Sequence, residues 1–129
     1  MKKRFLDSWP ILEWLKGSAA AEEVSDLLLE AAAGSTELWM SAINVDEVYY
    51  FLRKTSSAQA AETWKELAHT LPVGIEVPSL QDIWHAATLK SRYPIAYADA
   101  FAAALAQKHH CPLVTGDPEF HSIEGLELH

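Results

Sequence analysis

Four acidic residues, Asp7, Glu47, Asp99 and Asp117, lie at comparable points along the chain. Asp7 follows the apolar pair Phe5-Leu6, and Asp117 follows Leu113-Val114-Thr115-Gly116. Glu47 falls in the first turn of a helix predicted from Asn44, and Asp99 in the first turn of an alanine-rich helix. In an open α/β sheet, ligands bind at the carboxyl ends of the strands, where strand order reverses. Carboxylates gathered there repel one another unless cations are present or protons are taken up. Oxygen donors without histidine or thiolate suit Mg²⁺ or Mn²⁺. Such ions, about 4 Å apart in two-metal sites, assist attack on phosphodiesters.

Each acid also has an ordinary structural role open to it. Asp7-Ser8 can cap a helix starting near Pro10, and Asn44 with Glu47 has the spacing of a capping box. Asp99 suits the positive end of a helix dipole, and Asp117 before Pro118 suits a turn. Other chemistries lack their motifs. The six histidines show no His-x-x-x-His pair with a third ligand nearby. There is no Gly-x-Ser-x-Gly elbow and no glycine-rich phosphate loop.

The elements that must position the acids alternate between strand and helix. Short apolar strands are predicted at Phe5-Leu6, Leu38–Ile43 and Leu113-Val114, and alternating ones at Val73–Val77 and Leu126–Leu128. Helices are predicted from Pro10 to Gly17, from Ala19 to Ala33, from Asn44, from Ala58 to His69, from Ser79 to Lys90, and from Ala98 to Lys108. On the Ser79 helix, Leu80, Ile83, Trp84 and Ala87 share a face. This pattern is that of an α/β fold with a mostly parallel sheet. Continuously apolar strands belong at the centre and alternating ones at the edges, which an order of 3-2-1-4-5 satisfies. Strands 1 and 4, ending at Asp7 and Asp117, then flank the point of reversal.

Half of the 129 residues are hydrophobic, enough for a folded domain spanning residues 1–129. The net charge is −8, which argues against nucleic-acid binding through a broad basic surface. A phosphate would instead be held by local chemistry, such as a metal. The single cysteine, Cys111, forms no internal disulfide and fits a buried thiol in a reducing cytoplasm. Lys2, Lys3 and Arg4 precede apolar residues, but Asp7 and Glu13 interrupt the run. No apolar stretch approaches the ~20 residues of a membrane span. A cytoplasmic protein is expected.

Four segments together resemble PIN-domain ribonucleases, specifically VapC-type toxins of VapBC toxin–antitoxin pairs. They are Phe5-Leu6-Asp7-Ser8, Ser41 through Tyr50, Tyr97 through Ala106, and Leu113 through Phe120. The resemblance covers nearly the whole chain. It implies a three-layer α/β/α domain with a central parallel sheet. It also implies that Asp7, Glu47, Asp99 and Asp117 form a site for Mg²⁺ or Mn²⁺, activating water against an RNA phosphodiester. Asp7 and Asp99 lead the implied ligands, with Glu47 next. Asp117 either supports them or binds a second metal. Ser8, Asn44 and Thr115 would orient acids or waters, or serve as caps and turn formers.

Two positions depart from the family pattern. Asp46 stands where a small residue is common, and helical geometry turns it about 100° away from Glu47. Trp9 is bulkier than the usual small polar residue and could narrow the site or contact a partner. The resemblance also implies a homodimer and an antitoxin whose C-terminal segment crosses the site; Trp9, Trp14 and Tyr50 are candidate apolar contacts for it and also plausible core residues. Arg53, Lys54, Lys90 and Arg92 either hold RNA or carry the charge favoured at helix C-termini. The alternative function is a catalytically weak module that binds RNA or protein. A phosphotransfer receiver would need an acceptor aspartate ending strand 3, where Val77-Pro78 stands. A dehalogenase-type phosphatase would need Asp-x-Asp, where Asp7 is followed by Ser8-Trp9.

Overall fold

A computed structural model describes residues 2–129. The sheet contains β1 (Lys2–Leu6), β2 (Thr36–Ser41), β3 (Val73–Glu76) and β4 (Leu113–Val114). The helices are α1 (Ser8–Lys16), α2 (Ala21–Ala32), α3 (Ala42–Thr55), α4 (Ala58–Ala68), α5 (Leu80–Arg92) and α6 (Tyr97–Lys108). A short 3₁₀ turn spans Pro118–Ser122. All strand pairs are parallel, in the order β3-β2-β1-β4.

Helices cover both faces of the sheet. Strand alternation sends Phe5 and Leu113 to one face and Leu6 and Val114 to the other. The first face meets α5 and α6 through residues such as Leu89, Ala103 and Leu105. The second meets Ile11 of α1, Val24 and Leu28 of α2, Val48 of α3 and Trp64 of α4. This is the expected α/β/α sandwich. The run of buried alanines from Ala100 to Ala106 lets α6 sit close to its neighbours.

The predicted fifth strand is reduced to one parallel bridge, Leu128 against Leu113. It lies beside β4, the place assigned to it, but β4 is two residues long and offers little to pair with. The second strand ends earlier than predicted, at Ser41, whose hydroxyl accepts the Ile43 amide and starts α3 there. Asn44 therefore does not cap this helix, and Glu47 lies past its first turn. The Leu80–Ile83–Trp84 face of α5 points to solvent, with Leu80 and Trp84 each 62% exposed. Asp82, Ala86 and Leu89 are the residues α5 buries.

Candidate acidic active site

Asp7 sits at the junction of β1 and α1, at the carboxyl end of the sheet. Its Oδ1 accepts the Trp9 amide at 3.0 Å, which caps α1. Its Oδ2 accepts the Thr115 hydroxyl at 2.6 Å, across from β4. The side chain is 2% exposed. Burial pushes its carboxyl up from the usual 3.8 to about 7, against the lowering effect of those two hydrogen bonds. The charges of Asp99 and Glu47 add to the rise.

Asp99 enters from the first turn of α6 and is also buried. The N-cap residue Ala96 offers no side-chain cap to this helix, but its backbone amide donates to the Asp99 carboxylate, which lowers the Asp99 pKa in part. Burial, followed by the charges of Glu47, Asp117 and Glu119, lifts its carboxyl to about 7. Glu47 comes from α3 and accepts the Ser8 hydroxyl at 2.5 Å. Asp117 ends the loop after β4. Its amide donates to Thr115 Oγ1 at 3.0 Å, and its carboxylate accepts the Glu119 amide at 3.0 Å.

Asp99, Asp117 and Glu119 each offer a carboxylate oxygen within 4.8 Å of the others. Glu119 is absent from the residues singled out in the sequence. Its only signal there is its place two residues after Asp117, where a 3₁₀ turn folds it back toward the loop. Asp7 and Glu47 stand outside that group of three, yet close enough for each to raise a neighbour's affinity for protons.

Of the supporting residues, Ser8 and Thr115 touch acids directly. Asn44 is fully buried and donates to the Ala98 carbonyl at 3.2 Å, one residue from Asp99. Its Oδ1 has no hydrogen-bond partner among the described residues. A donor set of carboxylates only, two of them raised to about 7 by burial and by their neighbours' charges, fits a hard divalent cation. The orphaned Oδ1 of Asn44, whose Nδ2 is tied to the carbonyl preceding Asp99, fits a bound water. The residues present therefore fit Mg²⁺ or Mn²⁺.

The remaining candidates lie elsewhere. Asp46 faces a hollow between α3 and α4, away from Glu47. Trp14 bonds Ser25 of α2 through its indole, while Tyr50 is 53% exposed. Lys90 donates to the Ile95 carbonyl at 2.6 Å, in the loop between α5 and α6. Cys111 is buried, and burial pushes its thiol up.

Residues 4–126 match the sequence model of the PIN domain. The chain belongs to the PIN-domain family. A search of curated proteins by sequence returned no match. Among solved structures, this PIN domain is similar to VapBC-1 from nontypeable Haemophilus influenzae, at 26% identity and a TM-score of 0.71. That match covers 98% of this chain and 96% of the other. VapBC2 from Rickettsia felis, bound to a promoter DNA fragment, shares the fold at 19% identity and a TM-score of 0.77, covering 98% and 97%. Mycobacterium tuberculosis VapC20, a toxin that cleaves the sarcin–ricin loop, does so at 16% and 0.76, covering 97% and 98%.

Proposed function

We propose that this PIN domain is a metal-dependent endoribonuclease acting as the toxin of a type II toxin–antitoxin pair. The observation that carries the proposal is the mutual approach of Asp7, Glu47, Asp99 and Asp117 from four separate elements, close enough for their charges to act on one another. A helix cap needs only its own helix, whereas Asp99, which also accepts the Ala96 amide at the start of α6, is buried among like charges from other elements. Asp7, Glu47, Asp99 and Asp117, with Glu119 grouped beside the last two, would hold Mg²⁺ or Mn²⁺. When bound, such an ion polarises a phosphoryl oxygen and lowers the pKa of its water. The protein's own groups fix the geometry: Thr115 and the Trp9 amide hold both oxygens of Asp7, and Ser8 holds one oxygen of Glu47.

The purified protein, freed of any inhibitor, is expected to cut a susceptible RNA with Mg²⁺ or Mn²⁺ and not with EDTA. Loss of an outer partner of a metal ligand costs 10–100-fold, so Asp99→Asn should lose at least about 100-fold in rate. Undiminished cleavage by folded Asp99→Asn protein refutes the assignment.

The partners follow from the same reading. Similarity to VapBC assemblies supports a cognate antitoxin, and the acidic crevice suits a basic side chain from it. The outward apolar face of α5, Leu80, Ile83 and Trp84, supports a second copy of this chain as the cover, because such a face costs free energy in water. Trp84→Glu should shift the protein toward monomer in sedimentation; an unchanged dimer, or a parent that is monomeric throughout, removes that face from the proposal. No helix among the described residues is long and apolar enough to cross a membrane, consistent with action in the cytoplasm.

A further inference from the structure

The first turn of α1 and the loop after β4 meet at Trp9 and Gly116. A Cβ built on Gly116 would lie 2.3 to 2.5 Å from three atoms of the Trp9 indole, a distance real Cβ atoms do not show. Gly116 is not among the glycines with positive φ, which are Gly17, Gly34 and Gly125. Its backbone therefore does not demand glycine. The ring seated on it does.

Both residues are wired to the acids. The Trp9 amide donates to Asp7 Oδ1 at 3.0 Å. Gly116 lies between Thr115, which donates to Asp7 Oδ2 at 2.6 Å, and Asp117, whose amide donates to Thr115 Oγ1 at 3.0 Å. Asp117 in turn receives the Glu119 amide. A displacement at Gly116 must therefore move Thr115 on one side and Asp117 on the other.

We propose that Trp9 is a positioning residue whose indole, packed on Gly116, holds the loop of Thr115, Asp117 and Glu119 against Asp7. Trp9 and Gly116 form a matched pair: the large ring at one position requires the missing side chain at the other. Only the metal arm of the test below rests on the acidic-site reading above.

The first arm is NMR of the metal-free protein. The α protons of Gly116 should carry an upfield ring-current shift that Trp9→Ser abolishes. The amides of Thr115 and Asp117 should move in the same variant. The second arm is the Mn²⁺ concentration needed to raise the melting temperature. Trp9→Ser and Gly116→Ala should each raise it about tenfold, the low end of losses for groups that orient metal ligands. The Trp9→Ser/Gly116→Ala double variant should need no more Mn²⁺ than Trp9→Ser alone, because the added Cβ then meets no ring. Either of two results overturns the proposal. One is that Trp9→Ser melts lower but keeps the parental Mn²⁺ response. The other is that the two substitutions multiply as independent effects. A parent that ignores Mn²⁺ refutes the metal site instead, and unmoved Thr115 and Asp117 amides in Trp9→Ser then overturn the positioning role.

Discussion

Asp99→Asn should stabilise the metal-free protein, by an amount that grows as pH rises from about 4 to about 7. The folded carboxyls of Asp7 and Asp99 are raised from 3.8 to about 7. Between those values the folded state holds protons that the unfolded chain has released. Stability of the metal-free protein therefore falls as pH rises from about 4 to about 7, and the loss is complete above 7. One pKa unit corresponds to 1.36 kcal/mol, so the full rise at Asp99 bounds its share at about 4 kcal/mol. Of the charges facing Asp99, those of Glu47 and Asp117 are half-buried and that of Glu119 is exposed, so water screens them, and a figure of about 1–3 kcal/mol is the working expectation. Asparagine keeps the shape and removes the charge beside Glu47, Asp117 and Glu119. For a chain of this size, 1 kcal/mol moves Tm by about 3–5 °C. Thermal unfolding in chelator at pH 4 and pH 8 reads the effect, and comparison with the parent cancels the titration of the histidines. The variant should nearly match the parent at pH 4 and melt about 3–15 °C higher at pH 8. Mn²⁺ should reverse the order, because a cation bound only by the folded state stabilises by about 2.7 kcal/mol at a hundredfold excess over Kd. A variant less stable than the parent at pH 8, or a difference independent of pH, refutes the reasoning.

Glu119→Gln should weaken stabilisation by Mn²⁺, because Glu119 shares the carboxylate group with Asp99 and Asp117; an unchanged Mn²⁺ titration removes it from the site. Asp82→Ala should lower stability by about 1–2 kcal/mol in urea unfolding, since it loses both a capping box with Ser79 and the ion pair to Lys108. Its pH dependence has the opposite sign to that of Asp99. Burial opposes ionisation, but bonds from the Ser79 backbone and Lys108 prevail and hold the Asp82 carboxyl below its ordinary value. Its contribution is thus present at neutral pH and should fade as pH falls below about 4. Gly74→Ala should cost about 1–3 kcal/mol, because a Cβ there would lie 2.6 Å from the Trp39 ring on the neighbouring strand; a melting temperature equal to the parent's would show that the ring moves freely.

The sheet was legible where a strand is buried on both faces. Phe5-Leu6 and Leu113-Val114 send neighbouring residues into opposite cores, so each run is apolar throughout. That continuity marks the two strands flanking the reversal, and with them Asp7 and Asp117. The end of β2 was less legible. Ile43 continues the apolar run, but Ser41 offers a hydroxyl to the Ile43 amide, and a satisfied cap ends the strand two residues early. The shift moves Glu47 out of the first turn and frees it to accept from Ser8. Glu119 was hidden for a related reason. The sequence Asp117-Pro118-Glu119 reads as a turn, and only the 3₁₀ geometry after it brings the second acid back beside the first.

The α5 helix shows the limit of periodicity as a guide to burial. Leu80, Ile83 and Trp84 recur at helical spacing, and the spacing correctly places them on one face. It does not say what covers that face. Here the buried side includes Asp82, held by Ser79 and by Lys108 of α6, with Ala86 and Leu89 behind it. A carboxylate with two such partners can enter the interior at little cost, and small Ala86 admits α6 closely. The larger apolar residues are thereby turned outward. An apolar stripe reports a surface that favours leaving water, and whether its cover is the chain itself or another chain is decided by the polar bonds that fix the helix's rotation.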